Sequence, residues 1–273
     1  MSEWSNNPQA GTGKISGSPL AGRRVLVTGA TSGLGETIAV QLAVNYGATV
    51  IATGRRSERL ERVAARIRAA NGEIQTHALD VTDTEAVMNL CERLKEEGVD
   101  DLVLNAGTTS VGSFTDSTFD NDQALIDTNV SANLRLIRNL IQPLSYGKTG
   151  GRILLVASLG GLVPLPYQSV YAGSKAFLLN FGLSLREELK SHGICVLVFA
   201  PGGIATEMTE IAAMDKLRSQ LADVDKVASA AIKMFIKRKS LSVPGWQNKV
   251  TAALARLLPR STLASIAGRI YRP

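Results

Sequence analysis

Six short runs of β-branched and aliphatic residues, each followed by a stretch with helical apolar spacing, constrain this chain more than any other feature. The runs are RVLVTG (24–29), TVIATG (49–54), EIQTHALDV (73–81), DLVLNAG (101–107), GRILLVAS (151–158) and ICVLVFAPG (194–202). LSVP (241–244) is a candidate seventh strand at an edge. Between them, 34–46 places Leu34, Ile38 and Leu42 on one helical face. A basic helix follows Ser57, a candidate cap, and stops at Asn71-Gly72; further helical stretches cover 83–97, 119–142 and 168–192. Strand and helix alternating in this way predict an α/β fold: a doubly wound parallel sheet of the Rossmann type, about seven strands, with helices on both faces. Ligands of such sheets bind beyond the carboxyl ends of the strands. The motifs described below lie at those ends or begin the next helix.

Size and composition fit one such domain. The chain has 273 residues, 45% hydrophobic and 20% charged, enough for a single large core. Residues 1–21 are polar and rich in Gly, Ser and Pro. They read as a disordered tail, without the apolar stretch of a secretory signal. Residues 22–245 form the predicted nucleotide-binding and catalytic domain, and 246–273 a basic helical extension. No apolar run is long enough to span a bilayer. The two cysteines, Cys91 and Cys195, fall in apolar-periodic segments, which suits reduced core thiols and a cytoplasmic location. Residues after Asp225 hold ten of the 30 Lys and Arg and none of the 24 acids. The net charge of +6 therefore belongs to the C-terminal end, and the body is acidic.

The segment Thr28-Gly29-Ala30-Thr31-Ser32-Gly33-Leu34-Gly35 links the first strand to its helix. Glycines allow a tight turn and close approach of a pyrophosphate, and the helix N-terminus offers free N–H groups. A glycine-rich turn is also a common structural device, so its place between strand and helix carries the argument. At the end of the second strand, Thr53-Gly54-Arg55-Arg56 lacks the acid that holds the ribose hydroxyls of an unphosphorylated dinucleotide. Arg55, with Arg56 beside it, offers a fork for a 2′-phosphate. NADP(H) is therefore favoured, with NAD(H) the alternative. Asp80 ends the third strand, where it suits either an adenine amine or a local turn, and Asp83 suits a helix cap.

Tyr171 and Lys175 are one helical turn apart, and Ser158 ends the fifth strand. A free phenol has a pKa near 10, and an adjacent ammonium favours its ionised form. A serine hydroxyl aimed at the same point can hold a carbonyl oxygen. The trio suggests proton transfer at an oxygen beside a bound nucleotide. Metal catalysis is not expected, because His77, His192 and the two cysteines are the only imidazoles and thiols.

With these motifs in this order, residues 22–244 resemble the short-chain dehydrogenase/reductase family. The resemblance rests on the turn from Thr28-Gly29 through Gly33 to Gly35, Asp80, Asn105-Ala106-Gly107, Asn129, Ser158, Tyr171 with Lys175, and Pro201-Gly202. It implies hydride exchange between nicotinamide and a carbonyl or secondary alcohol. Tyr171 is the implied acid/base, Lys175 lowers its pKa and holds ribose, and Ser158 orients the oxygen. Asn129, by disrupting its helix, holds a water that relays protons to Lys175. The implied cofactor set takes Gly29, Thr31, Ser32, Gly33, Leu34 and Gly35 from the turn, then Arg55, Arg56, Asp80 and Val81. Asn105, Ala106, Gly107, Tyr171, Lys175, Pro201, Gly202, Ile204 and Thr206 complete it.

Expected substrate contacts are Leu159–Tyr167, Thr108–Val111 and a lid within 203–219. In the lid, Met208, Ile211, Met214 and Leu217 fit a binding wall and an ordinary amphipathic helix equally. These segments are mostly apolar and favour an uncharged, hydrophobic carbonyl or alcohol as the small-molecule substrate. The two long helices are candidate faces for a homodimer or homotetramer. In the extension, Val250, Leu254, Leu257 and Leu258 form a stripe ended by Pro259. Ser261 is a candidate cap for a second helix carrying Leu263, Ile266 and Ile270. Two readings stay open: packing on the parent domain or a neighbouring subunit, or peripheral contact with an anionic membrane. No nucleic-acid motif accompanies the charge, and no such partner is expected.

Overall fold

A computed structural model describes residues 17–145, 150–209 and 221–271. Seven parallel strands form one sheet: β1 (Arg24–Thr28), β2 (Thr49–Gly54), β3 (Glu73–Ala78), β4 (Asp101–Leu104), β5 (Arg152–Val156), β6 (Cys195–Phe199) and β7 (Leu241–Ser242). Their order is β3-β2-β1-β4-β5-β6-β7, so the winding reverses between β1 and β4. β4 and β5 are buried along their whole length, as strands covered on both faces must be.

Side chains of alternate parity feed two cores. Val25 and Val27 enter one with Ile38 and Leu42 of α1 (Gly33–Tyr46), Leu60 and Ile67 of α2 (Ser57–Ala69) and Phe235 of α7 (Val224–Lys237). Leu26 enters the other with Leu94 of α3 (Thr84–Glu97), Leu140 of α5 (Ala132–Ser145) and Leu178 of α6 (Ser169–Glu188). The period-two strand pattern and the 3.6-residue helical pattern thus meet on both faces.

Several local expectations change. The stretch 119–142 is broken into α4 (Phe119–Ile126), a π-helical turn (Asp127–Ser131) and α5. Asn129 sits inside that turn, a feature that interrupts helices at functional sites. Asp83 caps α3, accepting from Ala86 N–H at 3.0 Å, as expected. Ser57 does not cap α2: Arg56 holds the cap position and Ser57 is the first helical residue. Leu20 is fully buried, so the packed body begins before residue 22. The rest of the N-terminal tail, residues 1–16, lies outside the described residues, as does most of the lid (210–220). The extension forms α8 (Trp246–Leu257) and α9 (Arg260–Tyr271), with Arg260 rather than Ser261 at the start of α9.

Beneath the sheet, at the amino ends of β4 and β5, a charged knot was not anticipated. Asp101 is fully buried, pairs with Arg23 and accepts from Arg152 N–H at 2.9 Å. The Arg152 guanidinium lies 5.2 Å from the centre of the Phe235 ring. This knot ties β1, β4 and β5 at the end opposite the candidate site.

Candidate active site

The carboxyl ends of the strands open into a cavity of about 1620 Å³, larger than the roughly 300–1,000 Å³ of ordinary ligand pockets and able to hold a dinucleotide together with a substrate. Its floor at the winding reversal is the β1–α1 turn. Asn105 bridges this turn to β4. Its N–H donates to Thr28 Oγ1 at 3.0 Å and its side-chain amide donates to the Thr28 carbonyl at 3.1 Å. Two glycines show why the turn admits no side chains. A Cβ on Gly29, whose φ is +69°, would lie 2.9 Å from Ala106 Cα, and one on Gly35 would lie 2.3 Å from both Asn105 Nδ2 and the Gly29 carbonyl oxygen. Ser32 at the N-cap of α1 makes no side-chain capping bond, so the first N–H groups of α1 stay available to an anion. This cradle fits a dinucleotide pyrophosphate.

At the β2 end, Arg55 is 77% exposed, with Asp80 as its ion-pair partner at 3.6 Å. Arg56 donates to Ser32 Oγ at 2.8 Å and pairs with Glu207 at 3.0 Å; Arg59 pairs with the same carboxylate. Those arginines hold the Glu207 carboxyl below the usual range. Asp80 takes its turn role: its carboxylate accepts from the Thr82 N–H at 2.9 Å and hydroxyl at 2.8 Å. Burial would raise its pKa, but these two bonds and Arg55 leave it lowered. Asp80 also lines the cavity, so both of its readings survive.

On the far side of the turn, Ser158, Tyr171 and Lys175 converge. The Lys175 amine lies 5.9 Å from the centre of the Tyr171 ring and donates to the Val156 carbonyl at 3.0 Å. Ser158 Oγ accepts from Gly160 N–H at 3.0 Å and is hydrogen-bonded to the Tyr171 phenol. The serine is thus a turn cap and a site group together. Asn129 is fully buried. Its carbonyl oxygen accepts from Thr108 N–H at 2.8 Å, and its amide donates to the Thr108 carbonyl and to Ser174 Oγ, each at 3.0 Å. A Cβ on Gly107 would lie 3.2 Å from Asn129 Oδ1 and 3.3 Å from Lys175 Nζ, so the two side chains face one small space beside Gly107.

The electrostatics correct one expectation. Burial raises the Tyr171 phenol above its ordinary value; the Ser158 hydrogen bond opposes this and negative charge on Tyr271 would add to it. Without cofactor the tyrosine is therefore a protonated acid and not an acidified phenol. Burial also lowers the Lys175 amine from 10.5 to about 8.

The other expected cofactor positions divide cleanly. Thr31, Gly33, Leu34, Val81, Ala106, Pro201, Gly202, Ile204 and Thr206 border the cavity. Gly35 does not, being a close-packing position for α1; of the expected catalytic set, Asn129 does not border it either and positions its neighbours from behind. Of the expected substrate segments, 108–111 borders the cavity throughout, whereas in 159–167 the bordering residues are Leu159, Gly160, Val163, Leu165 and Tyr167. Tyr167 takes a left-handed φ of +65°, and its carbonyl accepts from Gly112 N–H at 2.9 Å, joining the two loops.

The C-terminal extension is the part of the site that the sequence reading missed. Gln247, Asn248 and Thr251 of α8 and Leu263, Ile266 and Ile270 of α9 border the cavity. The helical period of these residues was legible, but their docking partner was not. Among the described residues no cluster of three or more His, Cys, Asp or Glu could hold a metal.

The sequence profile described as short chain dehydrogenase matches residues 23–216. Ketoacyl reductase HetN of Nostoc sp. is 31% identical over 242 residues, covering 88% of this chain and 84% of that protein. A short-chain dehydrogenase from Sphingobium yanoikuyae, solved in complex with NADPH, superposes with a TM-score of 0.77 at 28% identity, covering 86% of this chain and 94% of that one. A short-chain dehydrogenase from Burkholderia cenocepacia in complex with NADP gives 0.74 at 33% identity, covering 82% and 95%.

Proposed function

Because the chain belongs to the short-chain dehydrogenase/reductase family and is an oxidoreductase, we propose that it is an NADPH-dependent reductase of an uncharged, largely apolar carbonyl compound, reversible toward the alcohol. Bound in the cavity, the cofactor would supply the hydride that the protein itself cannot. Arg55, with Arg56, receives the 2′-phosphate, and the free N–H groups of α1 receive the pyrophosphate. The NADPH and NADP complexes of the two similar structures are consistent with this choice.

The observation that carries the reading is the convergence of the Tyr171 phenol, Ser158 and the Lys175 amine at the foot of a cavity whose other end is the glycine turn. Tyr171 gives its proton to the carbonyl oxygen, Ser158 orients that oxygen, and Lys175 stabilises the phenolate left behind. Asn129 holds the Thr108 backbone and faces the gap beside Lys175 through which a relayed proton would return. Following nicotinamide absorbance with NADPH and a ketone panel tests this. Tyr171→Phe should abolish turnover while cofactor affinity persists; surviving turnover overturns the assignment, and activity confined to highly polar carbonyls overturns the substrate class. A non-catalytic dinucleotide-binding regulator would show binding without turnover. NAD-dependent alcohol oxidation would appear as a preference for NAD that Arg55→Ala leaves unchanged.

Two surfaces suggest its surroundings. Phe119 of α4, Leu134 of α5 and Phe177 and Leu183 of α6 are exposed. They support assembly of a homodimer or homotetramer through these helices. On α8, Trp246, Val250, Leu254 and Leu257 are exposed beside Lys249 and Arg256, and no residue of α8 is buried. This supports peripheral contact with anionic lipid, since no helix among the described residues is long and apolar enough to cross a membrane. Vesicle binding that falls with salt and vanishes on truncation before Trp246 is the expected result; equal sedimentation of both proteins would reject it. The free thiols Cys91 and Cys195 support a cytoplasmic location.

A further inference from the structure

α9 is attached to the body by very little. Ala267 is its one buried residue, packed with Leu165 and Ala172, alongside Val163 and Tyr271. A helix kept only for packing would turn its large residues inward. Here Ile266 and Ile270 stay 48% and 53% exposed, and both border the cavity. Ala172 adjoins Tyr171, and Tyr271 is near enough to Tyr171 for its negative charge to act on the phenol. The wall formed by α9 therefore packs against the residue next to Tyr171 and shares the cavity with it. Its anchorage also reaches the cofactor end. Asn248 of α8 donates to the Pro244 carbonyl at 2.7 Å, and its amide lies against Gly202, where an added Cβ would come within 2.6 Å of it.

Charge sets the kind of ligand this wall accepts. The cavity's two arginines, Arg55 and Arg56, lie at the β2 end. Besides Lys175, the other charged groups bordering the cavity are the acids Asp80, Asp116, Asp122 and Glu207, and the α9 residues Arg260 and Arg269 do not border it. The α9 residues that border the cavity carry no cation, and the one ammonium bordering it, Lys175, belongs to the catalytic pair.

We propose that α9 is the specificity wall of this site, taking the larger apolar arm of a neutral ketone against Ile266, Ile270 and Tyr271, with Val163 and Leu165 facing them. The inference rests on the reductase reading and adds to it the residues that select the substrate. Apolar contacts of this size discriminate substrates roughly 10–200-fold per group. The experiment uses methyl ketones whose second arm grows from methyl to nonyl, with NADPH and the full-length chain. In the wild type kcat/KM rises with arm length. In Ile266→Ser/Ile270→Ser the ratio of nonyl to methyl kcat/KM falls roughly 10–100-fold. Tyr271→Phe keeps the ratio and Tyr271→Ala lowers it. Both serine positions are half exposed, so folding should survive, and melting temperature and NADPH affinity verify this. Calorimetric binding of a long-chain carboxamide, which is not a hydride acceptor here, gives a second reading. If no ketone is reduced but amide affinity drops in the double variant, the reductase reading fails and the wall stands. If ketones are reduced with the same arm-length dependence in both proteins, the wall is wrong and the reductase reading stands.

Discussion

Replacing Lys175 with Met should make the protein more stable and inactive at once. The amine is 5% exposed, and burial alone lowers its pKa from 10.5 to about 8. At roughly 1.4 kcal/mol per pKa unit, that difference amounts to about 3 kcal/mol. The sign follows from which state holds the proton. Below pH 8 the lysine is protonated folded and unfolded, so the full cost of burying a cation weighs on the native state. Between pH 8 and 10.5 the native amine is neutral while the unfolded chain still binds a proton, so stability attributable to this group rises with pH. Met fills similar space without charge but leaves the Val156 carbonyl without its lysine donor, a loss of about 1 kcal/mol. Lys175→Met should then be about 1–2 kcal/mol more stable than wild type at pH 7, in urea unfolding without cofactor. Its advantage should vanish and reverse as pH approaches 10.5, because other groups titrate identically in both proteins and cancel. A stability difference that does not change between pH 7 and 10 would refute the electrostatic account. The same variant should lose turnover, placing this lysine among residues kept for function at the expense of stability.

Arg55→Ala should weaken NADPH binding roughly tenfold or more and leave NADH nearly unchanged, since only the former brings a phosphate to a charge-assisted bond; equal losses for both would mean that Arg55 does not read the 2′-phosphate. Glu207→Gln should tighten NADPH relative to NADH by releasing Arg56 and Arg59 from a competing carboxylate, and titration calorimetry showing no relative change would count against this. Asp101→Ala should cost about 3–5 kcal/mol in urea unfolding, because it leaves the buried Arg152 and the half-buried Arg23 without their shared carboxylate; a loss below about 1 kcal/mol would contradict that account.

The sheet and its winding could be read from the sequence because the central strands are buried on both faces and several of the crossover helices carry their own apolar period. Those signals are local and agree with one another. The glycine turn and the Ser158, Tyr171 and Lys175 set could be read for a related reason, since fixed spacing on a strand end or one helix face fixes relative position. What depends on distant packing could not be read. The π turn at Asp127–Ser131 is expected only through the resemblance, as a disruption at Asn129; its periodicity is that of ordinary helix, and the bonds from Asn129 to Thr108 and Ser174 show what holds the turn there. The buried Asp101 begins a strand like any acid at a loop boundary until Arg23 and Arg152 close over it. The stripe on α9 was visible, but an apolar stripe does not say whether it meets a core, a membrane or a ligand.

The raised phenol and lowered amine share one origin, and together they bear on the proposed chemistry. A pocket that excludes water disfavours a lone phenolate and a lone ammonium alike. In the resting site the lysine, with a pKa of about 8, is mostly charged at neutral pH and has only a backbone carbonyl opposite it. If Tyr171 passes its proton to a carbonyl oxygen, the phenolate left behind and the ammonium form a pair with no net charge. With the ammonium 5.9 Å from the centre of the ring over which the phenolate charge is partly spread, and an effective dielectric constant of about 20, their attraction is roughly 3 kcal/mol. That is close to the cost the buried cation carried before the transfer. Proton donation therefore relieves the strain that burial imposes, and it does so only when a substrate oxygen is present to receive the proton. An expectation built on the spacing of Tyr171 and Lys175 alone catches the attraction but misses its timing: the lysine makes the phenol a better acid during transfer, while burial keeps it protonated until then.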